Sequence, residues 1–528
     1  MAAVPMQVRY LLIPGLGLVT ALTVVLWAGR KGRPGRPFAV RSPRACLMAL
    51  GLLGILLFGG LGAARYLTWH SFVYDLGRYD QKVWLVSTQE DPWAMVEQTW
   101  RGGVRETPCG IQRSSGVCHF QPLHLIPALL YQTWASPLLL LALQVLAIVS
   151  GMIPLYILAC GSLGDRTAGL AICLTYLLFP VVQYNALLEF RPEFVAIPSL
   201  LWAFLLAHRR HVVIALALAA SAGLMKESLL LAFAGFGLYI WVRDGRRVLG
   251  LGACGLGLLG FSLIDFGLLA GANASEGKVL LGKYLAGDAL ATVLRRDKLI
   301  FLGTLLGPLA GLPLLSPLPL LAAAPALALL LLSPDLTHPA IHWEYAASAV
   351  GPLFVALLDV LPRLPARLGT RVQPIPLLAG LVTLGAFVAF ATGPTPLSLN
   401  FWSRAEGGHW HYAQYLPDRQ AVLNRAEALI PTDPDVVVVT QNDVNSARLA
   451  HRHFYHPFPH ALDRADYIVL DTQRSPFVYR EPNRKDYEEI VALLRADPAF
   501  QTIFDEEGVL VFRRSAPGQP AAAFGRDG

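Results

Sequence analysis

Charge is what this sequence of 528 residues has least of. Asp, Glu, Lys and Arg make up 15% of it, where a soluble globular protein carries about 25%. Hydrophobic residues make up 54%, and the mean hydropathy of +0.49 excludes an ordinary soluble domain. Cysteine is scarce as well. Of the six, Cys46, Cys160, Cys173 and Cys254 fall in or beside apolar runs, where a thiol behaves as a small hydrophobe, which leaves one pair at most for a disulfide. No basic patch is interleaved with aromatics, so the net charge of +7 does not describe a nucleic-acid surface. No glycine-rich strand-to-helix turn is present to cradle a dinucleotide. No internal repeat marks the two halves as inverted copies, as many secondary transporters would show.

Long apolar runs fill the chain instead. Stretches near 20 residues, the length that crosses the hydrocarbon core, recur near 9–28, 45–66, 137–160, 167–188, 193–208, 211–225, 228–242, 247–272, 299–315, 317–333, 346–362 and 374–394. They predict an all-α polytopic membrane bundle of about twelve transmembrane helices. Short cytoplasmic loops retain positive charge, so Arg30, Lys31, Arg33, Arg36, Arg41 and Arg44 put the first linker in the cytoplasm. Alternation then puts Arg209/Arg210, Arg243/Arg246/Arg247 and Arg363/Arg367/Arg371 on that same side. The loops 67–136, 273–298 and 334–345, with everything after about 395, fall on the extracytoplasmic face. Loop 273–298 strains the scheme, because Lys278, Lys283, Arg295, Arg296 and Lys298 lie outside, in part balanced by Glu276, Asp288 and Asp297. The first run is followed by basic residues rather than a small-residue cleavage site, and reads as a retained span.

The expected organisation is N-terminal transmembrane helices over 1–66, a long extracytoplasmic loop over 67–136, the bundle over 137–394, a small extracytoplasmic α/β domain over 395–515 and a disordered tail over 516–528. The α/β reading rests on "PDVVVVTQ", "ADYIVLD" and "GVLVF", short β-branched runs bounded by turn residues, separated by helix-like stretches such as "RKDYEEIVALLRA". Cys109 and Cys118 bracket "CGIQRSSGVC" in the first loop, where an oxidising compartment permits a disulfide. Spacing alone leaves two free thiols as the alternative.

Polar groups in or at the mouth of such a bundle carry the functional signal, since an ionisable side chain at mid-membrane costs roughly 2.5–3.5 kcal/mol on insertion scales. In "SFVYDLGRYDQKVW", Leu76, Tyr79, Val83 and Val86 follow the spacing of an amphipathic interfacial helix, with Asp75 placed to cap its first turn. Asp80, five positions on, shares no helix face with Asp75. "HFQPLHLIPALLY" sets His119 and His124 ahead of the third span, as ligands or as polar anchors. "LEFRPEF" crowds Glu189, Arg191 and Glu193 into the turn between the fourth and fifth spans. "GLMKESLLL" interrupts an apolar run with Lys226 and Glu227, either at a tight outer turn or inside one long broken helix. His342, beside Trp343 and Tyr345, adds another outer group, and Asp265 lies inside the eighth span with no obvious partner.

The order of "YDLGRYDQKVW", "HFQPLHLIPALLY", "LEFRPEF", "LMKES" and "HWEYAASAVGPLF" resembles a bacterial family of multi-spanning membrane proteins, domain-of-unknown-function family 2079, from about residue 70 to the polar tail. More distantly it is similar to the GT-C glycosyltransferases, which include protein O-mannosyltransferases and aminoarabinose transferases. The resemblance implies a GT-C-like fold in the bacterial cytoplasmic (inner) membrane. It also implies transfer of a sugar from a polyprenyl-phosphate donor to an extracytoplasmic acceptor, with the bilayer and the lipid-linked sugar as partners and no nucleic acid. It carries the catalytic acid onto Asp75 first and Asp80 second, the acid of the second outer turn onto Glu193, and a lysine that follows a Gly-Leu pair onto Lys226. Arg191 stands where a histidine is expected, Ser228 where an aspartate is common, and the two aspartates are not adjacent.

The expected chemistry is inverting transfer: an aspartate takes the proton of the acceptor hydroxyl, or positions it through a divalent metal such as Mg or Mn, while Lys226 or Arg191 holds the lipid phosphate. His124, Glu189, Glu193, Glu227 and His342 complete the expected substrate site. The rival class is a transporter or lipid flippase, in which Glu189, Glu193, Lys226, Glu227 and Asp265 line a route open to both faces.

Overall fold

The computed structural model describes residues 11–30, 40–72, 76–88, 119–268, 289–333, 339–364, 374–403, 410–433, 436–441, 444, 454–457, 462–463, 465–473 and 484–515. Asp75, Cys109 and Cys118 lie outside the described residues. Helices dominate, followed by a small mixed sheet near the C-terminus.

The helices follow the apolar runs, but most are shorter than spans. Pro43–Leu67, Pro137–Leu163 and Arg247–Gly267 are long and apolar enough to cross a membrane. Arg166–Leu178 and Pro180–Leu187, bent by 57° where they join, make a fourth if the pair is one span. The expected twelve are thus three or four by length among the described residues, and proline is one physical reason for the shorter helices. Pro180 opens a new helix where its ring and missing N–H end the old one. The expected run 299–315 is a helix only over Arg296–Leu306, after which Pro308 and Pro313 sit in single 3-10 turns and Ala310 and Gly311 turn left-handed.

Burial separates the inner helices from the outer ones. Ala196–His208 and Ala347–Val360 are buried along most of their length, whereas Met48, Leu52, Leu53 and Leu56 of Pro43–Leu67 stay exposed, an apolar face suited to lipid. Leu230–Asp244 and Arg247–Ser262 pack backbone to backbone. A Cβ at Gly257 would lie 2.7 Å from the Leu230 carbonyl oxygen, and one at Gly250 2.7 Å from that of Gly237, so only glycine permits this approach. Arg210 Nη1 pairs with Asp244 Oδ1 at 3.1 Å. That contact brings the start of Val212–Ser221 back to the end of Leu230–Asp244, so the two helices form a hairpin and Lys226–Glu227 is its turn. Lys298, expected in a loop, is fully buried in Arg296–Leu306. Its ammonium donates to the Leu330 and Ser333 carbonyls at 2.9 and 2.7 Å, where the end of helix Ala324–Leu332 offers unbonded acceptors and negative dipole.

The C-terminal sheet contains β1 (Val437–Thr440), β2 (Phe454–Pro457), β3 (Tyr467–Asp471), β4 (Phe500–Glu506) and β5 (Val509–Arg514) in the order β2-β1-β3-β5-β4. β2, β1 and β3 are parallel, and β5 and β4 add antiparallel. The three runs read as strands are β1, β3 and β5, and "RKDYEEIVALLRA" is the helix Arg484–Ala496. One side of the sheet packs on Gln420–Glu427 through Val422, Leu423 and Ala426, the other on Tyr487, Val491 and Leu494.

Candidate functional site

Four chain segments with buried charge meet at one end of the bundle, and an uncharged side chain sets the first of them. Gln144, fully buried in Pro137–Ser150, donates to the Asn185 and Leu188 carbonyls at 2.8 and 2.7 Å and accepts from Arg191 N at 2.9 Å. The chain after Pro180–Leu187 is held extended by these bonds until Pro192 starts the 3-10 turn Pro192–Val195. Glu189, Arg191 and Glu193 leave this turn toward three different elements.

Glu189 accepts from Phe72 N at 2.8 Å and Leu76 N at 3.0 Å, and Arg65 Nη2 lies 3.4 Å away. It therefore holds the chain that enters the helix Arg78–Thr88. Arg191 pairs with Glu344 at 3.3 Å, and Glu344 is in the 3-10 turn Glu344–Ala346 that opens the next buried helix. Glu193 accepts from Lys226, whose backbone is extended between two helical segments, and the Tyr345 ring lies 5.8 Å from the Lys226 ammonium. Glu227 accepts from His119 Nδ1 at 2.8 Å and from Phe120 N at 3.0 Å. Burial opposes ionisation of Glu227, yet His119 and Lys226 hold its pKa down to about 2. Burial likewise opposes the charge on Lys226, and Glu193 overrides it and raises the pKa.

The helix Arg78–Thr88 closes the site. It forms where the 3–4 spacing predicts an amphipathic helix, but Tyr79, Asp80, Gln81, Lys82, Val83, Leu85 and Val86 are all buried, so protein covers most of its circumference. Tyr79 faces the charged groups: burial, against Lys226, raises its pKa to about 12. Lys82 donates to Gln121 Oε1, and burial, against Glu227, lowers its pKa to about 7. Two residues along a helix is about 200° of rotation, so Asp80 points away from Lys82. Its carboxylate accepts the Tyr131 hydroxyl at 2.5 Å. His124 is fully buried between Tyr79 and Phe190, with ring centroids 5.8 and 6.5 Å away. His342 packs edge-on to Tyr184, which reaches the carbonyl of Thr392.

Hydrogen-bonding capacity is left over here. Among the described residues, Glu193 Oε2, Glu344 Oε2 and both nitrogens of His124 have no partner. Buried polar atoms in native proteins are paired in the large majority of cases, so these atoms keep capacity to bond a further group. Glu189, Arg191, Glu193, Lys226, Glu227 and His124 are thus brought into one neighbourhood. Asp80 flanks it on the far side of its helix. Sequence reasoning missed Glu344, Lys82, Tyr79 and Gln144. Glu344 is the one acid in "HWEYAA", and Gln144 interrupts "LLLLALQVLAIV". Each was readable by the same rule that found Lys226.

Residues 65–511 match the family described as "Predicted membrane protein (DUF2079)". No curated protein matches the chain. In structure it is similar to ArnT from Cupriavidus metallidurans in the apo state, with a TM-score of 0.51 and 11% identity over 88% of this chain and 96% of that one. The same ArnT bound to undecaprenyl phosphate gives a TM-score of 0.49 and 13% identity over 88% and 97% of the two chains. At this identity the apo likeness is one of fold, and it agrees with the GT-C-like architecture that the motifs imply. Since the family match covers most of the sequence, this chain belongs to the DUF2079 family of membrane proteins.

Proposed function

We propose that this protein is a membrane glycosyltransferase that moves a sugar from a polyprenyl-phosphate donor to an acceptor on the extracytoplasmic face. The observation that carries this reading is the mixed set of unused groups at one end of the bundle. Glu193 Oε2 and Glu344 Oε2 can accept hydrogen bonds, while Lys82, bonded only to Gln121 among the described residues, and His124 can donate them. A ligand with hydroxyls at one end and an anion at the other fits that division. Lys226 and Arg191 already face Glu193 and Glu344, so in this reading they set the pocket's charge and shape. The carrier phosphate then goes to Lys82 and His124.

In the transfer, the acceptor's hydroxyl oxygen bonds to the anomeric carbon as the bond from that carbon to the phosphate oxygen breaks. The hydroxyl proton goes to a carboxylate and the electron pair of the broken bond to the phosphate. Asp75, which precedes the helical segment beginning at Leu76, is the first candidate for that carboxylate. Asp80 comes second, since it already accepts from Tyr131. Among the described residues no three His, Cys, Asp or Glu side chains are placed to hold a divalent cation, and Glu193 and Glu344 each face a cation already. No step is routed through one.

The transporter reading needs a polar route through the bundle. Along the described helices, Tyr176, Phe179 and Phe354 interlock edge to face, as do Phe204 and Phe236, and all five are fully buried. This packing favours a site open at one end. The test is binding of undecaprenyl phosphate to purified protein, wild type against Lys82→Met. Saturable binding that weakens at least tenfold in the variant is expected. No binding by the wild type sinks the lipid-donor reading.

A further inference from the structure

Trp69 belongs to two parts of the molecule. Its backbone finishes the long helix Pro43–Leu67, with Trp69 N donating to Tyr66 O at 3.3 Å and His70 N to Arg65 O at 2.9 Å. Trp69 is 1% exposed. It sits among Val422, Leu423, Ala426, Val438, Val469 and Val511, the core on one side of the C-terminal sheet. The ring N–H donates to Asn424 Oδ1 at 2.8 Å. Reaching that core requires a φ of +65° at Trp69, a conformation that bulky residues avoid. Burial of a large aromatic with its polar atom satisfied offsets this strain. Beside it, Thr68 Oγ1 donates to Gln414 O at 3.2 Å and the Arg65 guanidinium lies over Trp410 at 5.2 Å.

Three residues beyond Trp69, Phe72 N is held by Glu189, and so is Leu76 N at the entrance to the helix that presents Tyr79 and Lys82. That entrance is therefore fixed from two directions, by the turn at Glu189 and by the C-terminal core that grips Trp69. We propose that Trp69 is a positioning residue: the C-terminal unit completes its core with this indole and thereby holds the helix Arg78–Thr88 against the charged site. The occupant of that core is a segment of this same chain, and the loop is tethered to the unit rather than only covered by it. The inference is independent of which reaction the site performs.

Hydrogen exchange on the full chain in detergent tests it, comparing peptides from 78–88 and from β3 and β5, with 196–208 as a control. In Trp69→Gly the φ of +65° is relaxed rather than strained, so no backbone strain adds to the loss of the indole. Exchange at least tenfold faster in both 78–88 and the strands is expected, with the control unchanged. Trp69→Phe and Asn424→Leu, which keep most of the apolar filling, are expected to shift both regions the same way by a smaller factor, and they carry the test if the glycine variant does not fold. Faster exchange in the strands with 78–88 unchanged overturns the proposal. Free indole added to Trp69→Gly fills the hole without a tether. The strands are expected to slow again while 78–88 stays fast, and recovery of both regions also overturns it.

Discussion

In the C-terminal unit, Arg419 donates to both oxygens of Asp471 at 2.6 and 2.9 Å, to Gln473 Oε1 at 2.8 Å and to the Glu507 carbonyl at 2.8 Å. Asp471, fully buried, also accepts from Gln473 N. At the end of the bundle, Lys226, Glu193 and Glu344 are buried too and Arg191 is partly so, but in the pairs Lys226–Glu193 and Arg191–Glu344 one oxygen of each glutamate has no partner among the described residues. The two regions bury similar charges and differ in completeness. A saturated network fixes a fold, and its removal is felt as lost stability. An incomplete one leaves desolvated atoms whose cost falls when a ligand with the matching groups arrives.

That contrast can be broken most decisively at Asp471. Asp471→Ala removes the fully buried partner of Arg419, itself only partly exposed, and should destabilise the C-terminal unit by about 3 kcal/mol. Hydrogen exchange in Tyr467–Asp471 measures it, and a change below about 1 kcal/mol would equate the saturated pair with a surface one. In the bundle, Lys226→Met leaves Glu193 uncompensated and should lower the melting temperature strongly. Adding Glu193→Gln should restore part of the loss, because the two groups are coupled. Strict additivity in that cycle argues that the pair does not interact.

Lys82 sharpens the comparison through pH. Burial lowers its pKa in the folded chain to about 7, from the ordinary lysine value of 10.5. The ammonium is therefore present mainly below pH 7, and undecaprenyl phosphate binding should weaken as pH rises through that value. In the unfolded chain the proton stays on to about 10.5, so stability should rise with pH between the two values, by at most about 1.4 kcal/mol per unit. Lys82→Met should flatten both profiles, and a binding profile left intact would remove Lys82 from the ligand site. The smallest effect belongs to Arg425 and Glu506, paired at 2.6 Å but about half exposed. Arg425→Ala should change stability by less than about 1 kcal/mol, as a melting curve would show.

Much of this was legible in the sequence, and the gaps have physical causes. Apolar runs gave helix positions, because burial in lipid or protein demands the same composition. Of the expected spans, three or four meet the length of a full crossing among the described residues, and composition does not register how Pro180, Pro308 and Pro313 cut a run into pieces. β1, β3 and β5 were readable from β-branched runs. β2, with "FYHP", and β4, with its exposed polar positions, were not. Lys82 was missed because periodicity assigned its side of the helix to the surface, whereas it is buried and bonded to Gln121. The partners of the charges could not be read at all: Lys226 meets Glu193 and Arg65 meets Glu189 across 33 and 124 positions, a matter of tertiary packing.

Gln144 carries a last consequence. Its three hydrogen bonds set the turn from which Glu189, Arg191 and Glu193 depart, and an amide has no proton to gain or lose over the range in which its neighbours titrate. The framework of the site is therefore pH-blind while its contents are not. Acidification can change which groups carry charge without moving the backbone that aims them. A glutamate at this position, nearly the same size, would surrender that separation.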